Sequence, residues 1–142
     1  MKRLRAVLIA LAMVAATAPA AGPAEAPQQS SPTKVIAYYF HITHRCATCL
    51  AIERYAKEAI ETGFPQQLQQ GVIEWRPVNV ELRENRHFVR DFNLASSSLV
   101  LVKMRDGRQR GWRNLDKVWT LVRYKNEFIK YVQNNLKNLL ND

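Results

Sequence analysis

Cysteine is nearly absent from this chain, with two residues in 142. That excludes a small scaffold stapled by several disulfides. Glycine and proline are also sparse, at five and six, which excludes collagen-like and low-complexity sequence. No internal repeat is visible, so a solenoid is excluded. Acid is in short supply, with 12 acidic residues against 21 basic ones and a formal charge of +9. There is no Gly-rich phosphate loop and no flavin or nicotinamide fingerprint, so no cofactor is expected. What remains is ordinary globular usage, 47% hydrophobic and 23% charged, at a length suited to one domain.

The N-terminus reads Met1-Lys2-Arg3-Leu4-Arg5, then an apolar run from Ala6 to Ala16, then Ala18-Pro19-Ala20-Ala21. A basic head, a short apolar stretch and an Ala-x-Ala end make a secretory signal over residues 1–20. The run is shorter than the ~20 residues a spanning helix needs. An uncleaved anchor is the alternative. Residues 21–33 are rich in Ala, Pro, Gln and Ser and read as a tether. The folded domain is expected over residues 34–142, in a periplasmic or secreted protein. Export favours a disulfide or a disulfide-exchange centre for the two cysteines.

Lys34 to His41 is rich in β-branched and aromatic residues and reads as a buried strand. Cys49, Ile52, Ala56, Ala59 and Ile60 then recur at helical spacing, with Glu53–Lys57 and Arg54–Glu58 as i,i+4 charge pairs on the other face. Gly63 and Pro65 end this helix. Val72 to Val80 reads as a second strand, Glu84 to Phe92 as a short helix and Leu99 to Val102 as a central strand. Asp106-Gly107 signals a hairpin into Arg108 to Arg113. From Leu115 the period is helical to the end. The fold class is α/β, in the order β-α-β-α-β-β-α: a four-stranded mixed sheet with helices on both faces. The helical crossovers predict that the first three strands run parallel.

Cys46-Ala47-Thr48-Cys49 sits where the first strand meets the first helix. Disulfide exchange needs a thiolate, and a free thiol with a pKa of ~8.5 is only ~3% ionised at pH 7. The unsatisfied N–H groups of a helix start favour the ionised form by ~0.3–2 kcal/mol. Arg45 and His44 add positive charge, and no acid occurs from Lys34 to Ile52. Cys49 lies one turn along, on the stripe of Ile52 and Ala56. Cys46 is therefore the expected exposed nucleophile and Cys49 the shielded resolving thiol.

From Lys34 to Asp142 the chain resembles the thioredoxin-like superfamily in its minimal form. The first strand leading into His44-Arg45-Cys46-Ala47-Thr48-Cys49 matches the redox strand-loop-helix. Val78-Asn79-Val80 with the helix after it, and Leu99 to Gly107, match the next elements. More narrowly, the run from His44 to Glu53, Asn85-Arg86-His87-Phe88-Val89, and Asn114 to Trp119 resemble an exported bacterial family labelled nitrophenyl compound nitroreductase subunit, ArsF-like. No residue here carries the nitroreductase wording. The resemblance implies a thioredoxin fold with no cofactor motif of its own; the exchange chemistry makes protein thiols and disulfides the expected partners, a membrane redox protein among the candidates. Thioredoxins carry a cis-proline before the third strand. The matching segment here is Ala95-Ser96-Ser97-Ser98, with Ser98 nearest that slot and expected to border the substrate groove. They also bury an acid on the first strand, where Phe40 stands here.

Other readings of the pair are a static disulfide and a soft-metal or metalloid site for Cu⁺ or arsenite. His41 and His44 extend the string to His-x-x-His-x-Cys-x-x-Cys, and Cys46, Cys49 and His44 are the candidate ligands. A third reading is an accessory subunit of a membrane redox complex. Lys103, Arg105, Arg108, Arg110 and Arg113 cluster around the hairpin. Export argues against nucleic acid as their partner, leaving charge that protects an edge strand or attracts an anionic surface. Trp75, Trp112 and Trp119 read as packing residues and His87 as a surface residue.

Overall fold

The computed structural model describes residues 33–142. The expected signal and all of the expected tether except Thr33 lie outside the described residues. Strand β1 is Lys34–His41, β2 is Ile73–Asn79, β3 is Ser98–Arg105 and β4 is Arg108–Asn114. Helices are α1 (Ala47–Gly63), α2 (Pro65–Gln69), α3 (His87–Asp91), α4 (Val118–Leu121) and α5 (Lys125–Asn141). The sheet order is β2-β1-β3-β4. The four-stranded mixed sheet with helices on both faces is the architecture the sequence implies.

Strand direction differs from the expectation in one place. β1 and β2 are parallel, but β3 runs antiparallel to β1, with Phe40 opposite Ser98. The crossover explains this. Instead of one helix from Glu84 to Phe92 it holds a single 3₁₀ turn at Arg83–Asn85 and the five-residue α3. Five residues rise only ~7.5 Å, whereas a seven-residue strand spans ~23 Å. The helix does not carry the chain back along the sheet, so β3 starts at the end where β1 finishes. That end is also where α1 begins.

Alternation along the central strands divides the core into two layers. Val35, Ala37, Tyr39, Leu99 and Leu101 pack against α1 and α5 through Ile52, Ala56, Ile60, Phe128, Val132 and Leu136. Ile36, Tyr38, Phe40, Val100 and Val102 pack on the opposite face against Phe88 and Phe92. Phe40 packs against both of those rings in tilted geometry, at 5.2 and 5.5 Å between centroids.

The hairpin turns at Asp106 and Gly107, both in the left-handed region with φ of 54° and 69°. That is the demand of a two-residue turn between right-twisted strands. The C-terminal helix expected as one run from Leu115 is broken. Leu115 closes the sheet, donating from its N–H to the Leu99 carbonyl at 2.8 Å; α4 and α5 then form separately. The apolar period lapses at Lys125 and Asn126, where the next buried positions would fall.

The charge pairs on α1 also rearrange. Glu53 pairs with Arg45 instead of Lys57. Glu58 reaches Lys125 on α5 at 2.8 Å, and Lys57 turns to Glu61 at 3.6 Å. Helix spacing alone could not show that a partner from another element was closer.

Candidate active site

The loop Ile42–Arg45 delivers Cys46 to the start of α1. It is tied to the end of β2: the Thr43 N–H donates to the Glu81 carboxylate at 2.8 Å, and the Asn79 amide donates to Thr43 Oγ1 at 3.0 Å. Hydrogen bonds from Thr43 hold the Glu81 carboxyl below its usual range. Thr43, Asn79 and Glu81 carried no sequence signal, because their partnership depends on β1 and β2 ending side by side.

Cys46 is the N-cap residue of α1, in extended conformation at φ −76° and ψ 159°. Its Sγ accepts from the Cys49 N–H at 3.0 Å. Its carbonyl accepts the first intrahelical bond from Leu50 at 3.0 Å. Cys46 is exposed and Cys49 is 8% exposed, the order that a nucleophile and a resolving thiol require. The two sulfurs form a disulfide, with Cα atoms 5.1 Å apart. No acidic residue lies in the first turn of α1, so the helix dipole meets the sulfur uncompensated there.

Tyr39 lies directly beneath the pair. It is fully buried, and its hydroxyl donates to the Cys49 carbonyl at 2.7 Å. Burial raises its phenol pKa above the usual 10, while the nearby Arg45 charge and the Ser97 side chain act in the opposite direction. The thioredoxin resemblance puts Phe40 at the position of a buried acid. The structure turns Phe40 into the other layer, and its neighbour Tyr39 faces α1 and bonds to the Cys49 carbonyl.

Arg45 lies over the Tyr39 ring, its Cζ 5.8 Å from the centroid, and its Nη2 pairs with Glu53. Much of the positive charge that the sequence places beside Cys46 is therefore balanced. His44 is exposed on the loop. His41 bonds through Nδ1 to the Ile42 carbonyl at 3.0 Å. Among the described residues no three His, Cys, Asp or Glu side chains gather as a metal site would need. The candidate ligand set Cys46, Cys49 and His44 is not assembled.

Ser98 requires a correction. It is buried at the start of β3 opposite Phe40, on the layer away from α1, and its Oγ donates to the Ser96 carbonyl at 2.9 Å. Its neighbour Ser97 is the serine on the cysteine side. Ser97 is beside the Tyr39 hydroxyl, and its carbonyl accepts from Trp119 Nε1 at 3.0 Å. One residue of register decides the matter, because strand side chains alternate faces. Trp119, read from sequence as a packing residue, thus clamps the lead into β3. It also lines a groove of about 540 Å³ with Ala47, Thr48, Ala51, Val122 and Arg123, beside the residues between the cysteines. A cavity of about 370 Å³ at the far end of the sheet, by Lys34, Ile36 and Met104, touches neither cysteine.

No family model matches the chain, and no curated protein matches it. Among solved structures it is similar to thioredoxin from Trypanosoma brucei brucei, at 20% identity over 70% of this chain and 79% of that one, with a TM-score of 0.40. The fold assignment rests on the sheet itself. Strand order β2-β1-β3-β4, parallel β1 and β2, antiparallel β3 and β4, and a cysteine pair at the start of the helix after β1 make a minimal thioredoxin-like fold.

Proposed function

We propose that this chain is an exported thiol–disulfide oxidoreductase that exchanges the Cys46–Cys49 couple with protein thiols and disulfides. The observation that carries the reading is a solvent-exposed sulfur that is itself the N-cap of α1. The Cys49 N–H that this sulfur caps, with the helix dipole behind it, stabilises negative charge on it. A purely structural cross-link gains nothing from that exposure, and a loop this short closes little chain entropy.

In the reducing direction, the Cys46 thiolate attacks one sulfur of a partner disulfide and expels the other as a thiolate. Cys49 then loses its proton and attacks Cys46 Sγ, releasing the second partner thiolate. The partner gains two electrons and the couple becomes a disulfide. Run backwards, the couple oxidises a partner dithiol. The groove lined by Ala47, Thr48 and Trp119 offers a seat for the partner segment beside the residues between the cysteines.

The basic head and apolar run of residues 1–20 support a periplasmic or secreted location. The resemblance to the exported ArsF-like family supports the same location. The test is trapping. Cys49→Ser, offered a disulfide-bearing protein such as insulin, accumulates a reducible adduct through Cys46, and Cys46→Ser does not. Absence of the adduct, together with no insulin reduction by the wild type, would overturn the proposal.

A further inference from the structure

Arg45 immediately precedes the nucleophile, and Glu53 stands one helical turn beyond Cys49. Their side chains are only 24% and 22% exposed. Among the described residues this sets them apart from the other ion pairs, which are more solvated at both partners and contribute little. The guanidinium is confined on three sides. Nη2 is ion-paired with Glu53, Cζ lies over the Tyr39 ring at 5.8 Å from its centroid, and Nε and Nη2 are both buried without a hydrogen-bond acceptor among the described residues. A buried donor left unpaired is costly.

The arrangement belongs to the disulfide state, in which the sulfurs are neutral. Two electrons from a partner dithiol, which itself becomes a disulfide, turn the couple into a Cys46 thiolate and a Cys49 thiol. One of the partner's two protons goes to Cys49 and the other to solvent. An anion then exists on the residue next to Arg45, whose Nε–H has no acceptor in the disulfide state. Among the described residues, charged or titratable groups near the pair include His41, His44 and Arg45 at the end of β1 and on the loop, Glu53 on α1, Tyr39 on β1 and Arg123 after α4.

The geometry points to Glu53 as a positioning residue that sets the redox equilibrium of the couple through Arg45. In the disulfide state Glu53 holds the guanidinium; in the dithiol state Glu53 and the Cys46 thiolate compete for it. Glu53 thereby restrains the oxidising strength that a free arginine beside Cys46 would give. This inference rests on the couple being an exchanging one.

The experiment measures the equilibrium with glutathione and the Cys46 alkylation rate against pH in the wild type, Glu53→Gln, Arg45→Gln and the double variant. Glu53→Gln should shift the equilibrium toward the dithiol by roughly tenfold, the low end of a neighbouring cation's effect, or about 30 mV for this two-electron couple. Its Cys46 thiol should ionise at lower pH. Arg45→Gln should shift both the other way, and adding Glu53→Gln to it should change little. A Glu53→Gln equilibrium equal to wild type, or an effect undiminished without Arg45, would overturn the inference. In unmutated protein the Arg45 Nε–H resonance should move on reduction, and an unmoved resonance would count equally against it. Failure of the wild type to exchange with glutathione at all would instead sink the oxidoreductase reading.

Discussion

The buried hydroxyl of Tyr39 donates to the backbone carbonyl of Cys49 at 2.7 Å, joining the central strand to the first turn of the cysteine helix. That bond fixes the height of the resolving cysteine above the sheet from a side chain with no acid. The aromatic ring below it is packed, so the hydroxyl and the ring can be separated by one substitution.

Tyr39→Phe keeps the ring and removes the donor. Stability should fall by ~0.5–1.5 kcal/mol, the usual worth of one such bond, measured by urea unfolding at neutral pH. The alkaline limb should also change. Burial holds the folded phenol above its usual 10, so the folded protein keeps a proton that the unfolded chain releases. The associated stability is complete below pH 10 and drains as pH rises through the folded value. Tyr131 shifts the same way, chiefly by burial and then by the Asp116 charge. The variant should therefore lose stability less steeply above pH 10, with a residual slope. An alkaline limb as steep as wild type would show that Tyr39 ionises freely.

Phe40 fills the layer on the opposite side of the sheet, fully buried between Phe88 and Phe92. Phe40→Ala should cost ~3–5 kcal/mol, read from the denaturant midpoint. The pH dependence of Cys46 alkylation should stay where it is in the surviving folded fraction. A shifted alkylation profile would mean that the two layers are coupled through β1.

Glu81 anchors the loop before the cysteines by accepting from the Thr43 N–H. Its carboxyl is held below the usual 4.5, so the anchoring is present above that value and is lost as pH falls through the folded pKa. Protection of the Thr43 amide from hydrogen exchange should be high near neutrality and drop in acid. In Glu81→Ala it should be low at both, and protection equal to wild type would remove Glu81 from this role.

The parts of the fold that were legible in the sequence are those whose signal is local. β1 was bounded at Lys34 and His41 by its own composition, and the buried face of α1 followed from the spacing of Cys49, Ile52, Ala56, Ala59 and Ile60. Asp106-Gly107 announced its turn because few other residues tolerate those angles. What escaped depended on partners distant in sequence. The direction of β3 turned on how short α3 is. The side chain of Ser98 faced away because register, invisible in one strand alone, put Ser97 beside Tyr39. Glu53 had a plausible partner four residues along, yet Arg45 was nearer once the loop folded back over α1. Trp119 joined the site only because β4 returns the chain to the lead into β3.

The most direct test is the ionisation of Cys46 in reduced protein, read from the rate of alkylation by a small thiol reagent between pH 4 and 9 with Cys49→Ser as background. A sulfur capping α1 should ionise well below the ~8.5 of a free thiol. A midpoint at the free-thiol value would contradict the account at its root.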